Sequence, residues 1–102
     1  MSKYKFYKNK RTKYHPSIQI DFDEFTWKNM ELTSSPSKNG RYIKLKINPS
    51  GNKKTAFIRK YVRTDPIKTR GQLLEKYHLS EEDLKEIERY ILENKKASAK
   101  PT

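Results

Sequence analysis

Apolar and polar residues alternate along much of the first half of the chain, which is the pattern of half-buried strands. The clearest example has Ile18, Ile20 and Phe22 on one face, with polar residues between them. Alternation or apolar content predicts about five strands: 4–7, 17–22, 27–33, 41–47 and 55–62. Residues typical of turns form the main loops: 34–40 and 48–52. The first half is therefore expected to form a sheet.

The pattern becomes helical after Pro66. A short helix is expected within 69–77, and a longer one after Ser80, whose hydroxyl can accept a hydrogen bond from a first-turn amide. Acidic residues follow in the first turn, where they favour the positive end of a helix. The buried stripe has helical spacing: Leu84, Ile87 and Ile91. The helix is expected to fray near Asn94, leaving 95–102 as a disordered basic tail.

Strands followed by helices favour an α+β fold. We expect a small curled antiparallel β-barrel of about five strands with one or two C-terminal helices, in a single domain over residues 1–94. The 12% aromatic content argues against a disordered chain, despite a mean hydropathy of -1.15. A homodimer would add the apolar burial that one small core lacks.

Several classes of protein are excluded or disfavoured by composition. The chain has no cysteine, so disulfides and thiolate metal sites are excluded, and a reducing cytoplasmic location is expected. No run approaches the ~20 apolar residues of a membrane span, and residues 1–12 lack the apolar segment of a signal peptide. The histidines and acids have no metal-ligand spacing, and the few glycines form no phosphate-binding loop. Neither a metal nor a cofactor is expected.

Positive charge is concentrated in the strand-rich part. Residues 1–63 contain 16 Lys and Arg against four acids and carry the whole formal net charge of +12, whereas residues 64–102 are neutral. Cations at this density release counterions from a phosphate backbone, so single-stranded RNA is the expected partner. A basic surface kept for solubility is the alternative. No basic amphipathic helix accompanies the charge, so membrane binding is not expected.

A candidate site for RNA cleavage lies where the second predicted strand begins and the third ends. These ends are neighbours in an antiparallel pair, which brings His15 beside Thr33 and Ser34. Histidine transfers protons near neutral pH. The hydroxyls, with Arg11 and Lys13, can hold the charge that develops on a phosphate. Equally, a histidine before proline can simply begin a strand, and Thr-Ser-Ser-Pro can simply be a turn.

A second candidate RNA-binding surface lies on the fourth predicted strand. It interleaves aromatic and cationic side chains on the outward positions, Tyr42, Lys44 and Lys46, and Arg41 at the start of the strand is a further RNA-binding candidate. An ordinary solvated sheet face has a similar composition. The other histidine, His78, lies just before the last helix and is expected to be structural.

Short motifs resemble the PemK/MazF-like toxins, which are sequence-selective endoribonucleases of toxin–antitoxin pairs. The clearest is a hydrophobic strand ending in Arg-Thr, AFIRKYVRTD at 56–65, followed by LSEEDL at 79–84. Upstream, HPSIQI at 15–20 is similar to the family's Arg-Pro-hydrophobic strand start. MELTS at 30–34 is similar to its hydrophobic-Thr-Ser strand end. Together the motifs span roughly residues 13–93 in the family's order.

The resemblance implies an SH3-like barrel with a C-terminal helix, a homodimer, a basic groove for single-stranded RNA, and metal-independent cleavage to a cyclic phosphate. It implies that Thr33 stabilises the transition state, and it places His15 where the family has an Arg that serves in acid–base work. Histidine transfers protons more readily than arginine, so this replacement is compatible with activity. The family's long first loop is short here, at 8–13, which bears on cut-site choice.

Two hypotheses follow from the sequence. The first is an endoribonuclease toxin that uses His15, Thr33 and Ser34 and is neutralised by an acidic antitoxin protein. The second keeps the fold without the chemistry. It is a non-catalytic protein, such as one of a phage or mobile element, that binds nucleic acid or an acidic protein surface.

Overall fold

A computed structural model describes residues 4–98 of the chain, with the side chains of residues 4–94. Seven strands and one α-helix make up this part: β1 Phe6–Asn9, β2 His15–Phe22, β3 Thr26–Thr33, β4 Tyr42–Lys44, β5 Phe57–Arg59, β6 Arg63–Pro66, β7 Arg70–Leu73 and α1 Glu81–Ser98. Short 3-10 turns follow β1 and β6, at Lys10–Thr12 and Ile67–Thr69. The fold is α+β, as predicted from the order of the sequence patterns.

The strands form one antiparallel sheet in the order β4-β5-β3-β2-β1-β7. β6 lies off this path, because it shares an edge of β3 with β5. The C-terminal end of β3 pairs with β5 through Thr33 and Phe57. Its N-terminal end pairs with β6 through Trp27 and Asp65. β3 is accordingly the strand on which both halves of the sheet depend.

The hydrophobic core lies between α1 and one face of the sheet, which we call the apolar face. Its buried members are Phe6, Ile18, Met30, Leu32, Ile43, Leu45, Ala56, Ile58, Ile87 and Ile91. Ile87 and Ile91 are the contribution of α1, in agreement with the helical stripe of the sequence, while Leu84 is half-buried. Burial of each aliphatic or aromatic side chain of this size is worth about 1.5–3 kcal/mol. This packing is what holds the helix on the sheet.

The start of α1 is fixed to the loop after β4. The Asp83 N–H donates to Ser80 Oγ at 3.2 Å, which is the capping bond predicted from the sequence. The buried Asp83 carboxylate accepts hydrogen bonds from the Lys46 N–H at 2.9 and 3.0 Å and from the Ile47 N–H at 3.2 Å. These two amides are therefore bonded to a side chain instead of a neighbouring strand. β4 is Tyr42–Lys44, shorter than the predicted range 41–47, and backbone bonding to the β5 side continues only to the Leu45 N–H, which donates to the Ala56 carbonyl at 3.0 Å.

The sheet is open, so the expected closed barrel is not formed. Closure requires the edge strands β4 and β7 to pair, and the part of the chain that the structure describes has no such pairing. β4 has three residues and β7 has four. The Lys46 and Ile47 amides after β4 already bond to Asp83. Neither edge offers the length of strand that a closed barrel needs.

Two other expectations differ from the structure. The helix expected within 69–77 is wrong, because residues 70–73 form β7 and pair with β1. The strand expected at 55–62 is interrupted at Lys60, where the Tyr61 N–H donates to the Arg59 carbonyl at 2.8 Å in a tight turn. This turn lets β5 and β6 use the same edge of β3. α1 continues past Asn94 to Ser98, and residues 99–102 of the expected tail lie outside the described residues.

Candidate functional site

The side of the sheet opposite the core carries polar side chains, and we call it the polar face. Residues directly opposite each other in an antiparallel pair project from the same face, as Asn9 and His15 do here. Following the registers through β1, β2, β3, β6 and β7 gives its main members: Tyr7, Asn9, His15, Ser17, Gln19, Phe22, Trp27, Asn29, Thr33, Asp65 and Arg70.

His15 and Thr33 lie together at one end of the polar face. Ser17 pairs with Glu31, and this register extended by two residues sets His15 opposite Thr33. Both residues line a cleft of about 280 Å³ together with Ser34, and we call it the His15 cleft. His15 is exposed to solvent. The structure thus brings together the three residues that the sequence singles out for catalysis.

Hydroxyl groups form much of the wall near His15. Thr33 Oγ1 accepts a hydrogen bond from the Ser35 N–H at 3.0 Å, which fixes the turn after β3. A hydroxyl that accepts a bond still has its own proton to donate. Ser34 and Ser35 line the same cleft, so several hydroxyl-bearing residues share it with His15. Such hydroxyls can stabilise negative charge that develops on a phosphate.

The loop after β4 brings a cation to the cleft that the sequence analysis did not identify. Lys54 lines the cleft with Asn48 and Asn52. Asn48 Nδ2 donates to the Lys54 carbonyl at 3.0 Å, and Asn52 Oδ1 accepts from the Lys54 N–H at 2.8 Å. The Pro49 carbonyl accepts from the His78 N–H at 3.0 Å, which anchors the loop to the segment before α1. Turn composition predicts a loop here, but no local signal shows which strands it approaches.

Arg11 and Lys13 lie in the connection before β2 and are outside the described lining of the His15 cleft. Asn9 Oδ1 caps the 3-10 turn by accepting from the Arg11 N–H at 2.9 Å. Lys13 and Tyr14 then adopt left-handed φ angles of 57° and 67°, which redirect the chain into β2. Arg11 Nε lies 4.0 Å from Asp65 Oδ1, whereas Lys13 is exposed. An RNA-binding role for both cations stays a prediction.

A buried polar cluster occupies the middle of the polar face. The Asp65 carboxylate accepts from Asn9 Nδ2 and Asn29 Nδ2, each at 3.1 Å. It also accepts from Arg63 Nε at 3.2 Å and Arg63 Nη2 at 3.3 Å. Burial opposes ionisation of Asp65, but the hydrogen bonds from Arg63, Asn29 and Asn9 outweigh it and hold its pKa below the ordinary value. The hydrogen bond to Asp65 likewise raises the pKa of Arg63.

The predicted RNA-binding residues of the fourth strand lie at the edge of the sheet and do not line the His15 cleft, although Lys44 and Lys46 line a neighbouring cleft together with Lys54. Arg41 is exposed just before β4. The others line a cleft of about 660 Å³ between β4 and α1: Tyr42, Lys44 and Lys46. Lys46 Nζ forms an ion pair with Glu82, which raises the pKa of Lys46. Hydrogen bonds from the Ser37 hydroxyl and amide lower the pKa of Tyr42. This cleft is therefore of mixed charge, because acids of α1 face the cations of β4.

Comparisons with known proteins identify no relative. No family model matches the chain, and no curated protein or solved structure is significantly similar to it. Among the described residues, no helix is long and apolar enough to cross a membrane. Within 4–98, no group of three or more His, Cys, Asp or Glu residues is placed to hold a metal ion. The molecule is thus a small α+β protein with an open antiparallel sheet, and its resemblance to the PemK/MazF-like toxins rests on sequence motifs.

Proposed function

We propose that this protein is a metal-independent endoribonuclease that binds single-stranded RNA on its polar face and cleaves it at the His15 cleft. The observation that carries the proposal is the composition of that cleft. An exposed imidazole, the hydroxyls of Thr33 and Ser34, and the ammonium-bearing side chain of Lys54 line one space of about 280 Å³. These groups supply the base and the charge stabilisation that cleavage of RNA by its own 2′-hydroxyl requires.

The proposed reaction is an internal transfer of the phosphate. His15 takes the proton of the ribose 2′-hydroxyl, and the 2′-oxygen forms a bond to phosphorus. The bond from phosphorus to the 5′-oxygen breaks, and that oxygen takes a proton from solvent at the exposed cleft. His15 returns its proton to solvent, which leaves a 2′,3′-cyclic phosphate and a 5′-hydroxyl. Thr33, Ser34 and Lys54 hold the negative charge on the non-bridging oxygens.

The charge distribution supports RNA as the substrate. The strand-rich residues 1–63 carry the whole net charge of +12 and build the strands that line the His15 cleft. An acidic protein, such as an antitoxin, would inhibit the enzyme by covering this surface. A homodimer would extend the basic surface over two copies. Within the proposal the enzyme works in the cytoplasm.

A second candidate function is binding without chemistry. The described lining of the His15 cleft contains one imidazole and no carboxylate, so those residues provide no second imidazole or carboxyl group to protonate the leaving oxygen. Thr33 Oγ1 accepts the Ser35 N–H in the turn after β3, so this hydroxyl also has a structural role. A protein of this kind would hold nucleic acid or an acidic protein surface and leave it intact.

Incubation of a long RNA with the purified protein in excess EDTA separates the two functions. The endoribonuclease proposal predicts cleavage that persists in EDTA and yields a cyclic phosphate. His15→Ala should reduce the rate by about 100- to 10,000-fold, the usual contribution of a general base, and Thr33→Ala should also reduce it.

His78→Ala is the matched control, because His78 is exposed and lies outside the His15 cleft. It should cleave like the unmodified protein. Equal activity of the His15→Ala and His78→Ala variants would remove His15 from the mechanism. Intact RNA that shifts on a gel, with an affinity that falls steeply with salt, would favour the binding protein.

A further inference from the structure

An arginine is held between two aromatic rings on the polar face. The Arg70 guanidinium carbon lies 4.9 Å from the centre of the Tyr7 ring and 5.0 Å from the centre of the Phe22 ring. Arg70 Nη1 donates to Gln19 Oε1 at 2.7 Å. Three side chains from β1 and β2 therefore fix the position of one side chain from β7.

The support for this stack extends into the buried part of the molecule. The Tyr7 ring meets Trp27 edge-on, at 6.1 Å between ring centres and an angle of 80°. Trp27 is fully buried, and its Nε1 donates to Thr69 Oγ1 at 3.0 Å. The guanidinium is thus organised before any ligand arrives, which reduces the entropy lost on binding.

Two features of the stack indicate a ligand rather than a purely structural role. The hydrogen-bond acceptor of Arg70 is a neutral amide, so that bond leaves the positive charge uncompensated. Phe22 is 57% exposed although Arg70 packs against its ring. A large apolar surface beside a fixed, uncompensated guanidinium matches a nucleotide, which has a base that stacks and a phosphate that carries negative charge.

We propose that Phe22 and Arg70 form a nucleotide-binding subsite in which a base of single-stranded RNA stacks on Phe22 and its phosphate pairs with Arg70. The inference rests on the RNA-binding part of the proposed function. Arg70 and His15 both pair with Asn9, from the two sides of β1, so the subsite and the His15 cleft lie on the same face of neighbouring strands. One RNA strand crossing β1 and β2 reaches both.

The test compares Phe22→Ala with Phe25→Ala. Phe25 is 72% exposed in the turn between β2 and β3 and serves as the matched control. The first probe is a fluorescent single-stranded 2′-O-methyl oligonucleotide of mixed sequence, which lacks the hydroxyl that cleavage consumes. The second is an abasic oligonucleotide of the same length, which keeps the phosphates. Fluorescence anisotropy gives the Kd of each.

Phe22→Ala should raise the Kd of the base-containing probe about tenfold, the effect of losing one stacked base, and leave that of the abasic probe unchanged. Phe25→Ala should change neither. Arg70→Lys should weaken both probes, because the planar guanidinium is lost. Equal weakening of both probes by Phe22→Ala, or no weakening, would overturn the subsite. No weakening would also favour an acidic protein as the ligand of this face.

Two further measurements keep the outcomes separate. If circular dichroism shows that Phe22→Ala is unfolded, Phe22→Leu replaces it, because leucine keeps the apolar bulk and removes the ring. Cleavage by the unmodified protein is measured independently. Absent cleavage together with weaker binding by the Phe22 variant would reject the endoribonuclease and retain the subsite. Normal cleavage by the unmodified protein with unchanged binding by the Phe22 variant would retain the endoribonuclease and reject the subsite.

Discussion

Replacing Asp65 by alanine should destabilise the fold strongly, and the buried cluster gives the magnitude. Asn9 and Asn29 are 0% exposed, and each donates one hydrogen bond to the Asp65 carboxylate. In Asp65→Ala, Asn29 Nδ2 loses its acceptor, at about 1–3 kcal/mol. Asn9 Nδ2 loses one of two hydrogen bonds, at about 0.5–1.5 kcal/mol, because it also donates to Asn29 Oδ1 at 3.1 Å. Arg63 is 27% exposed and can regain water, so it adds little. We therefore expect a loss of about 2–4 kcal/mol in the free energy of unfolding.

Urea denaturation measures this loss, with the fluorescence of Trp27 as the signal. Trp27 is the single tryptophan of the chain and is fully buried. Asp21→Ala is the matched control, because the exposed Asp21 carboxylate bonds only locally, to the Phe22 N–H at 2.9 Å, and its loss should cost less than about 0.5 kcal/mol. A loss below about 1 kcal/mol in Asp65→Ala, or the same loss in both variants, would refute the dependence of the buried amides on Asp65.

Two more predictions concern the carboxylates that organise the fold. Because the pKa of Asp65 lies below its ordinary value, its charge stabilises the fold above the unfolded-state pKa of about 3.9, and this contribution is lost as pH falls through the folded-state pKa. In urea titrations, the free energy of unfolding of the unmodified protein should exceed that of Asp65→Asn by a constant amount between about pH 7 and 5, and the difference should shrink below about pH 4. A difference that is undiminished at about pH 2 contradicts this. Asp83→Ala leaves the Lys46 and Ile47 amides without their acceptor and should cost about 2–4 kcal/mol, against about 1 kcal/mol for Ser80→Ala, which loses one capping bond. Equal costs would show that the carboxylate acts only as a helix cap.

The parts of the fold that the sequence predicts are those whose signal is local. Strict alternation locates β2, and a capping residue before a helical stripe locates the start of α1. β7 is missed because Arg70–Leu73 shows no alternation of apolar and polar residues, and only its partner β1 makes the segment extended. Gly71 shows the dependence on that partner, since a Cβ there would lie 2.8 Å from the Lys8 carbonyl oxygen. Pairing between two segments so distant in the chain, here β1 and β7, leaves no recognisable pattern in the sequence of either segment.

The candidate site likewise contains residues that the sequence locates and residues that it does not. His15 and Thr33 can be placed together from the sequence, because consecutive antiparallel strands bring known ends into contact. Lys54 cannot, since it reaches the cleft through a loop whose path depends on its own hydrogen bonds. Asn9 and Asn29 are polar residues at strand positions, which ordinarily indicates exposure. They are buried because an aspartate far along the chain, Asp65, accepts their hydrogen bonds.

The open edges of the sheet have a consequence for how copies of this protein behave together. β4 and β7 are only three and four residues long, and cations lie on or beside them: Arg41, Lys44 and Arg70. An edge of that kind offers few backbone groups for an incoming strand and repels an identical edge by charge. Growth of a continuous intermolecular sheet, the first step toward fibres, is therefore discouraged at both ends. We therefore expect self-association of this chain to bury side chains from a surface other than these two edges.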